Sequence, residues 1–415
     1  MEASVPRIST GSGSGDRALS RASGLRLALV HDWLTGMRGG EKCLEVLCRA
    51  YPDATLYTLM HRRGALSPAI EAMTIKTSPL QRVPGVFRHY RRLLPLMPLA
   101  TRAWKPGGVD LVVSLSHCVA KAVRVPKGVP HVCYCFTPMR YAWEGREAYL
   151  GGWADRPLRR AMADQVLNRL RAWDRASAEG VSHFVAISET VRARIAAYYG
   201  RESRVIPPPV ATDFYTPTAV AREDFYLCVS ALVPYKRIEN AVTACSLTGR
   251  ALVVIGEGPE CDHLQRVAGP TVRFLGWQPD EVIRDHYRRC RALLFPGEDD
   301  FGIVPVEALA CGAAVIALGQ GGAAETIDHT VGRTYAAPHA EALLEAIEEW
   351  EAAGCPTDPI AARKRAESYS LPAFRQRLLS YLAEVVTRAT PEPVPPAPHL
   401  ARTASAIADQ LRNPT

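Results

Sequence analysis

The sequence predicts an α/β protein made of two doubly wound lobes, and three features predict it. Short apolar runs of strand length alternate with helical patterns along most of the chain, as a parallel sheet flanked by helices requires. At 415 residues the chain exceeds what one hydrophobic core organises. A stiff break, Ile206-Pro207-Pro208-Pro209-Val210, interrupts the alternation near its middle, because three prolines continue neither a helix nor a central strand. The boundaries expected are a disordered tail over 1–24, a first lobe over 25–210, a second over 211–388 and a proline-rich tail over 389–415.

Composition narrows the class. Hydrophobic content of 47% and charged content of 22% suit a soluble globular protein, and no run nears the ~18 apolar residues of a membrane span. Residues 1–24 lack the apolar core of a secretory signal. The 11 cysteines are scattered with no Cys-x-x-Cys pair, which predicts buried reduced thiols in a cytosolic protein and no zinc or redox site. A net charge of +8 favours an anionic partner: a nucleotide, a phospholipid surface or a phosphorylated carrier. No nucleic-acid-binding module is present in the sequence, so no nucleic acid partner is expected.

The first lobe opens with an apolar strand, Leu27 to His31. A glycine loop with Gly39 and Gly40 follows, then a helix burying Leu44, Leu47 and Cys48. The loop departs from G-x-G-x-x-G, which argues against an NAD site. Ala72 to Val109 carries seven Lys/Arg and no acid, interleaved with Leu, Val, Phe and Tyr. That pattern suits a membrane-surface segment over 76–105, or a helix packed on its own lobe with a solvated arginine face; prolines at 79, 84, 95 and 98 divide it. Asp110 to Ser116 is a strand ending at His117, and His131 to Cys135 another. The loop Phe136 to Trp143 places Arg140 among aromatics, a platform for sugar or phosphate or simply loop packing. An Arg-rich helix over 156–178 has a solvated face. His183 to Ser188 reads as the last strand of this lobe, followed by a helix through Tyr199.

The second lobe begins with a strand, Phe225 to Ser230. Lys236 and Arg237 lie in the next strand-to-helix loop, where two cations can neutralise a diphosphate. Ala251 to Gly256 and Thr271 to Leu275 are strands, the former closing on the loop Gly256-Glu257-Gly258. Pro279, Asp280 and Glu281 start a helix that turns Val282, Ile283, Tyr287 and Cys290 inward. Arg291 to Thr326 then repeats strand, glycine loop and helix twice, the second helix opening near Gly322 and Ala323. Helix starts present unpaired N–H groups to anions, and glycine lets a ligand approach the backbone. Asp299 and Glu307 could address one ligand from loop and helix. Two late helices follow, near 341–352 and 372–387.

An acid at Asp299, seven residues, Glu307, Phe301-Gly302 between them and Gly321-Gly322-x-x-Glu325 downstream resemble the donor-site signature of family 4 glycosyltransferases. The segments VHDWLTGMRGGEK and FTPMRYAW resemble a branch that includes O-antigen mannosyltransferases. The resemblance covers roughly 25–388 and implies the GT-B fold: two Rossmann-like domains facing across a cleft, with a late helix crossing back to the first. It implies a retaining hexosyltransferase, with Lys236 on the departing diphosphate and Asp299 and His117 on the hexose. By the same resemblance Glu307 takes the ribose hydroxyls. Arg237, Gly302, Ile303, Gly256, Gly322 and Glu325 complete the donor site, and Gly39, Gly40 and Arg140 the acceptor and phosphate side. Two departures stand out: Asp299 replaces the usual Glu, and Ala231 stands where an Arg is common.

The expected partners are a nucleotide sugar, which the branch resemblance implies is GDP-mannose, and an oligosaccharide or lipid-linked acceptor of cell-surface polysaccharide synthesis. No cofactor and no metal are expected, since no Asp-x-Asp motif of the metal-dependent kind is present. The expected place is the cytoplasm, on the membrane's cytoplasmic face if the basic segment docks there. The competing readings are a nucleotide-sugar epimerase or glycogen-type enzyme of this fold, and a catalytically degenerate nucleotide-sugar-binding protein.

Overall fold

The computed structural model describes residues 25–143 and 157–389. Both expected tails lie outside the described residues, apart from Ala389, which closes the last helix, and so does residue 156 of the Arg-rich segment. The first sheet comprises β1 (Leu27–His31), β2 (Thr55–Thr58), β3 (Thr74–Thr77), β4 (Leu111–Ser116), β5 (His131–Cys135), β6 (His183–Ala186) and β7 (Ser203–Val205). The second comprises β8 (Tyr226–Val229), β9 (Leu252–Ile255), β10 (Val272–Gly276), β11 (Ala292–Phe295), β12 (Ala314–Leu318) and β13 (Gly332–Tyr335). The spatial orders are β3-β2-β1-β4-β5-β6-β7 and β10-β9-β8-β11-β12-β13. The pairings within both sheets are parallel.

Each sheet therefore reverses winding direction once, between β1 and β4 and between β8 and β11. A crevice opens at such a point because the flanking loops diverge to opposite faces. The loops after β1 and β4 carry Asp32 and His117, while Gly39 and Gly40, expected in the loop after β1, instead open the helix Gly39–Ala50 that follows it. The loops after β8 and β11 carry Lys236 and Asp299.

The strands alternate as the pleat demands. Leu27 and Leu29 join one core cluster, and Ala28 and Val30 the cluster on the opposite face. In β11, Leu293 and Phe295 face the first cluster while Ala292 and Leu294 face a third. That first cluster is continuous from one lobe to the other.

Three expectations need correction. β7, and not the His183–Ser188 segment, is the last strand of the first lobe; its three residues, Ser-Arg-Val, form a half-exposed edge too short for an alternation to register. No full helix opens at Gly322, where the chain makes a single 3₁₀ turn over Gly322–Glu325. On the helix Asp280–Arg289, Tyr287 is fully buried and Cys290 caps the end, whereas Val282 and Ile283 are only half-buried.

The basic stretch folds into short turns broken at its prolines: Pro79–Arg82, Val86–His89, Tyr90–Leu96, Met97–Ala100 and Thr101–Ala103. Leu80, Leu94, Met97 and Trp104 go inward, while Leu96 (52%) and Leu99 (60%) stay exposed beside exposed Arg102 and Lys105. The side chains of Arg91 and Arg92 lie outside the described residues.

The last helix, Leu371–Ala389, runs over the first sheet. Phe374 meets Tyr134 of β5 edge-on and Tyr381 meets His183 of β6. Arg204 of β7 pairs with Glu384 at 3.1 Å. The Tyr134 hydroxyl donates to the Ile206 carbonyl at 2.9 Å, which ties the proline connector to the same patch.

Candidate active site

On the first lobe the site is built on Asp32. This carboxylate is fully buried immediately after β1 and accepts the backbone N–H groups of His117, Cys118, Val119 and Ala120 at 2.7, 3.0, 2.6 and 2.6 Å. The same acid contacts His117 Nδ1 at 3.0 Å. Burial alone would raise the Asp32 pKa, but the His117 contacts outweigh it and hold it far below the usual carboxylate range. For His117, burial opposes protonation, but Asp32 overcomes it and lifts the imidazole above its ordinary 6.5. The ring stands edge-on to Trp33 at 4.5 Å. The result is an imidazole whose protonated form Asp32 favours, at the end of β4.

On the second lobe, Lys236 and Asp299 meet. The Lys236 ammonium takes both carboxylate oxygens, Oδ2 at 2.5 Å, and stacks over Tyr235 and Phe295. Gly297 makes this possible, since a Cβ there would lie 2.8 Å from Lys236 Cα. The Asp299 carbonyl accepts from the Gly322 N–H at 2.8 Å, joining the two glycine loops. The helix Ile303–Ala310 starts at Gly302, whose left-handed φ of 86° suits glycine, and no side chain caps it. Gly256 is equally constrained: a Cβ would fall 1.8 Å from the Ser230 carbonyl oxygen.

The lobes touch around this pair. Gly39 presses on Ile303, where a Cβ would come within 2.8 Å of Cδ1. Arg140 pairs with Asp300 at 2.6 Å and lies over Tyr235. Arg194 reaches both Asp300 and Glu298, the latter at 3.0 Å. Glu325 accepts from Glu189 N, Thr190 N and Thr190 Oγ1, each at 2.8 Å, and so caps the helix Glu189–Tyr199 of the opposite lobe. Glu325 thus points to the lobe contact, away from the Lys236–Asp299 pair.

Glu307 is buried on the helix after Asp299 and accepts from the Tyr287 hydroxyl at 3.3 Å. Burial pushes its pKa up to about 7; Lys42 of the first lobe opposes the rise and Asp280 adds to it. Arg237 stands apart from the pair. Its φ is +50°, its Nη1 is buried without a partner, and its charge reaches Tyr335 at the end of β13.

The structure therefore brings Lys236 to Asp299, Gly322 to Asp299, Gly39 to Ile303, and Arg140 to Asp300. Sequence reasoning missed Asp32 and Arg194. An acid directly after the first strand at a winding reversal was the available signal for Asp32; Arg194 sits on a helix face with nothing to distinguish it.

Comparison with known proteins agrees with this architecture. Residues 37–214 match the model described as Glycosyltransferase Family 4, and residues 215–368 match Glycosyl transferases group 1. The two matches adjoin and take in most of the chain, which belongs to the family 4 glycosyltransferases and has their GT-B fold. Among relatives, a GDP-mannose-dependent alpha-(1-6)-phosphatidylinositol monomannoside mannosyltransferase of Mycobacterium tuberculosis is 30% identical over 209 residues, 43% of this chain and 51% of that one. Human alpha-1,3/1,6-mannosyltransferase ALG2 is 34% identical over 122 residues, 28% of this chain and 29% of that one. The chain spans about half the length of the mycobacterial relative. Among solved structures, Anabaena HepE in complex with UDP superposes with a TM-score of 0.62 at 16% identity, covering 86% of this chain and 100% of that one. Sucrose-phosphate synthase from Thermosynechococcus elongatus gives 0.64 at 18%, covering 88% and 100%.

Two predictions follow from the geometry. Asp32→Asn keeps the shape but leaves some of the four amides without an acceptor. It should cost on the order of 3 kcal/mol in urea unfolding; an unchanged midpoint would contradict the role given to Asp32. Glu307 has a folded-state pKa raised from 4.5 to about 7, so its contribution to stability is full below the lower value and is lost as pH rises through the upper one. Across that window wild type should lose about 3 kcal/mol more than Glu307→Gln in parallel denaturation curves; parallel pH profiles would contradict it.

Proposed function

We propose that the protein is a retaining hexosyltransferase that moves mannose from GDP-mannose to a saccharide or lipid-linked saccharide. The observation that carries this is the Lys236–Asp299 pair at the winding reversal of the second sheet, held against a first lobe that presents Asp32 and His117 at its own reversal. Mannose and the guanine nucleotide are supported by the relatives' printed activity.

In the reaction the bond between the anomeric carbon and the diphosphate oxygen breaks, and a bond from an acceptor hydroxyl forms on the same face. The acceptor's proton passes to the departing diphosphate. Charge builds on that diphosphate, and Lys236 with the uncapped helix start at Gly302 and Ile303 would meet it. Once the phosphates take Lys236, Asp299 is released to accept hexose hydroxyls. Glu307 faces the ribose in this arrangement, and His117 the hexose. The chemistry asks for no metal ion. The degenerate reading draws on Asp299 and Ala231, the two departures from the family pattern.

A lipid-linked acceptor suits the surface of the first lobe. Leu96 and Leu99 stand exposed a few positions from exposed Arg102 and Lys105, apolar and cationic side chains of the kinds that suit an anionic bilayer. This reading places the enzyme on the cytoplasmic face of a membrane, in the synthesis of lipopolysaccharide or a related surface glycan.

A thermal-shift panel of GDP-, UDP-, dTDP- and ADP-sugars should single out GDP-mannose. Release of GDP in the presence of acceptor and EDTA should then fall ~10²–10³-fold in Lys236→Ala. Binding without release would favour the degenerate reading, and an unchanged rate would take Lys236 out of the site. In vesicle sedimentation, wild type should bind phosphatidylglycerol-containing vesicles in preference to pure phosphatidylcholine, and Leu96→Glu/Leu99→Glu should not. Equal recovery of both proteins would remove the membrane reading.

A further inference from the structure

His31 closes β1 and is 1% exposed. Its Nδ1 lies 3.1 Å from the Trp33 carbonyl oxygen. A carbonyl only accepts, so Nδ1 carries the proton and the neutral ring keeps a lone pair on Nε2. Burial favours that neutral ring by lowering its pKa below 6.5. Nε2 is buried and has no hydrogen-bond partner. A buried acceptor left unmatched is costly and rare, which makes this atom a question about ligands.

The surroundings say what would answer it. A Cβ on Gly40 would stand 3.5 Å from Nε2 and 3.3 Å from the Phe136 ring, so the glycine leaves room beside the lone pair. Its neighbour Gly39 lies against Ile303 of the second lobe. Gly39 and Gly40 open the helix Gly39–Ala50, so its first turn lies between Nε2 and Ile303 of the second lobe. Phe136 stands 6.4 Å from both His31 and His117, so the two imidazoles flank one aromatic ring. A lone pair repels phosphate oxygens and attracts a hydroxyl hydrogen.

We propose that His31 is a further donor-site residue, whose Nε2 accepts a hydrogen bond from a hydroxyl of the donor hexose once Gly40, in the first turn of the helix Gly39–Ala50, shifts from it. The inference rests on the nucleotide-sugar reading above. It assigns His31 a choice that Lys236 does not make: Lys236 reads the diphosphate, which every nucleotide sugar shares, while His31 reads the sugar.

The test compares the affinities of GDP-mannose and GDP in full-length protein by calorimetry. In His31→Asn the shorter amide still donates to the Trp33 carbonyl but supplies nothing at the Nε2 position. In His31→Gln an amide oxygen reaches that position. His31→Asn should weaken GDP-mannose by roughly ten-fold and leave GDP unchanged, and His31→Gln should recover most of the loss. An unchanged GDP-mannose to GDP ratio in folded His31→Asn would overturn the proposal. Wild type that binds neither ligand would instead overturn the nucleotide-sugar reading, and this inference with it. Should the variants not fold, ¹⁵N NMR of the wild-type imidazole decides. The unprotonated His31 Nε2 resonance should move upfield with GDP-mannose and not with GDP; the same position with both would refute the contact.

Discussion

The first lobe's half of the cleft depends on one buried carboxylate. Removing a charge from water costs several kcal/mol unless the site replaces what water supplied. Asp32 receives that replacement from the four successive amides of residues 117–120 and from the His117 ring. The exchange fixes the loop after β4 to the loop after β1 across the winding reversal. It also orients the His117 ring and favours its protonated form. A loop that would otherwise be free at the end of a strand becomes a defined wall of the crevice.

The second lobe uses a looser device. Lys236 and Asp299 are mostly but not wholly buried, with 15% and 22% of their side chains exposed. Such a pair exchanges partners at smaller cost than a fully buried one, because solvent still reaches it. Around it, Arg140, Arg194 and Glu325 join the lobes through Asp300, Glu298 and the start of the helix Glu189–Tyr199. These contacts hold the two lobes together beside the Lys236–Asp299 pair, with Gly39 against Ile303.

How much of this was legible in the sequence follows from where each residue finds its partners. Strands β1, β4, β5, β8, β9, β11 and β12 are buried on both faces and appear as plain apolar runs. Strands β2, β3, β7 and β13 read Thr-Leu-Tyr-Thr, Thr-Ile-Lys-Thr, Ser-Arg-Val and Gly-Arg-Thr-Tyr, too short and polar to stand out. Lys236, Asp299 and the glycine loops were legible because spacing and residue type together form a pattern. Asp32 was not, since its partners are backbone amides 85 to 88 positions away, and an amide leaves no trace in residue type. The lobe contacts of Arg194 and Glu325 were hidden for a related reason. Each bridges more than 100 positions and depends on how the two sheets face each other. Unmatched Nε2 of His31 is a property of packing alone.

The central claim is that the paired phosphates of a sugar nucleotide displace Asp299 from Lys236 inside a closed cleft. A crystal structure of the protein with GDP-mannose bound addresses it directly. The account predicts phosphate oxygens within hydrogen-bond distance of Lys236 Nζ and the Asp299 carboxylate turned onto the hexose. A bound nucleotide that leaves the Lys236–Asp299 pair intact, or that lies outside the two winding reversals, would contradict it.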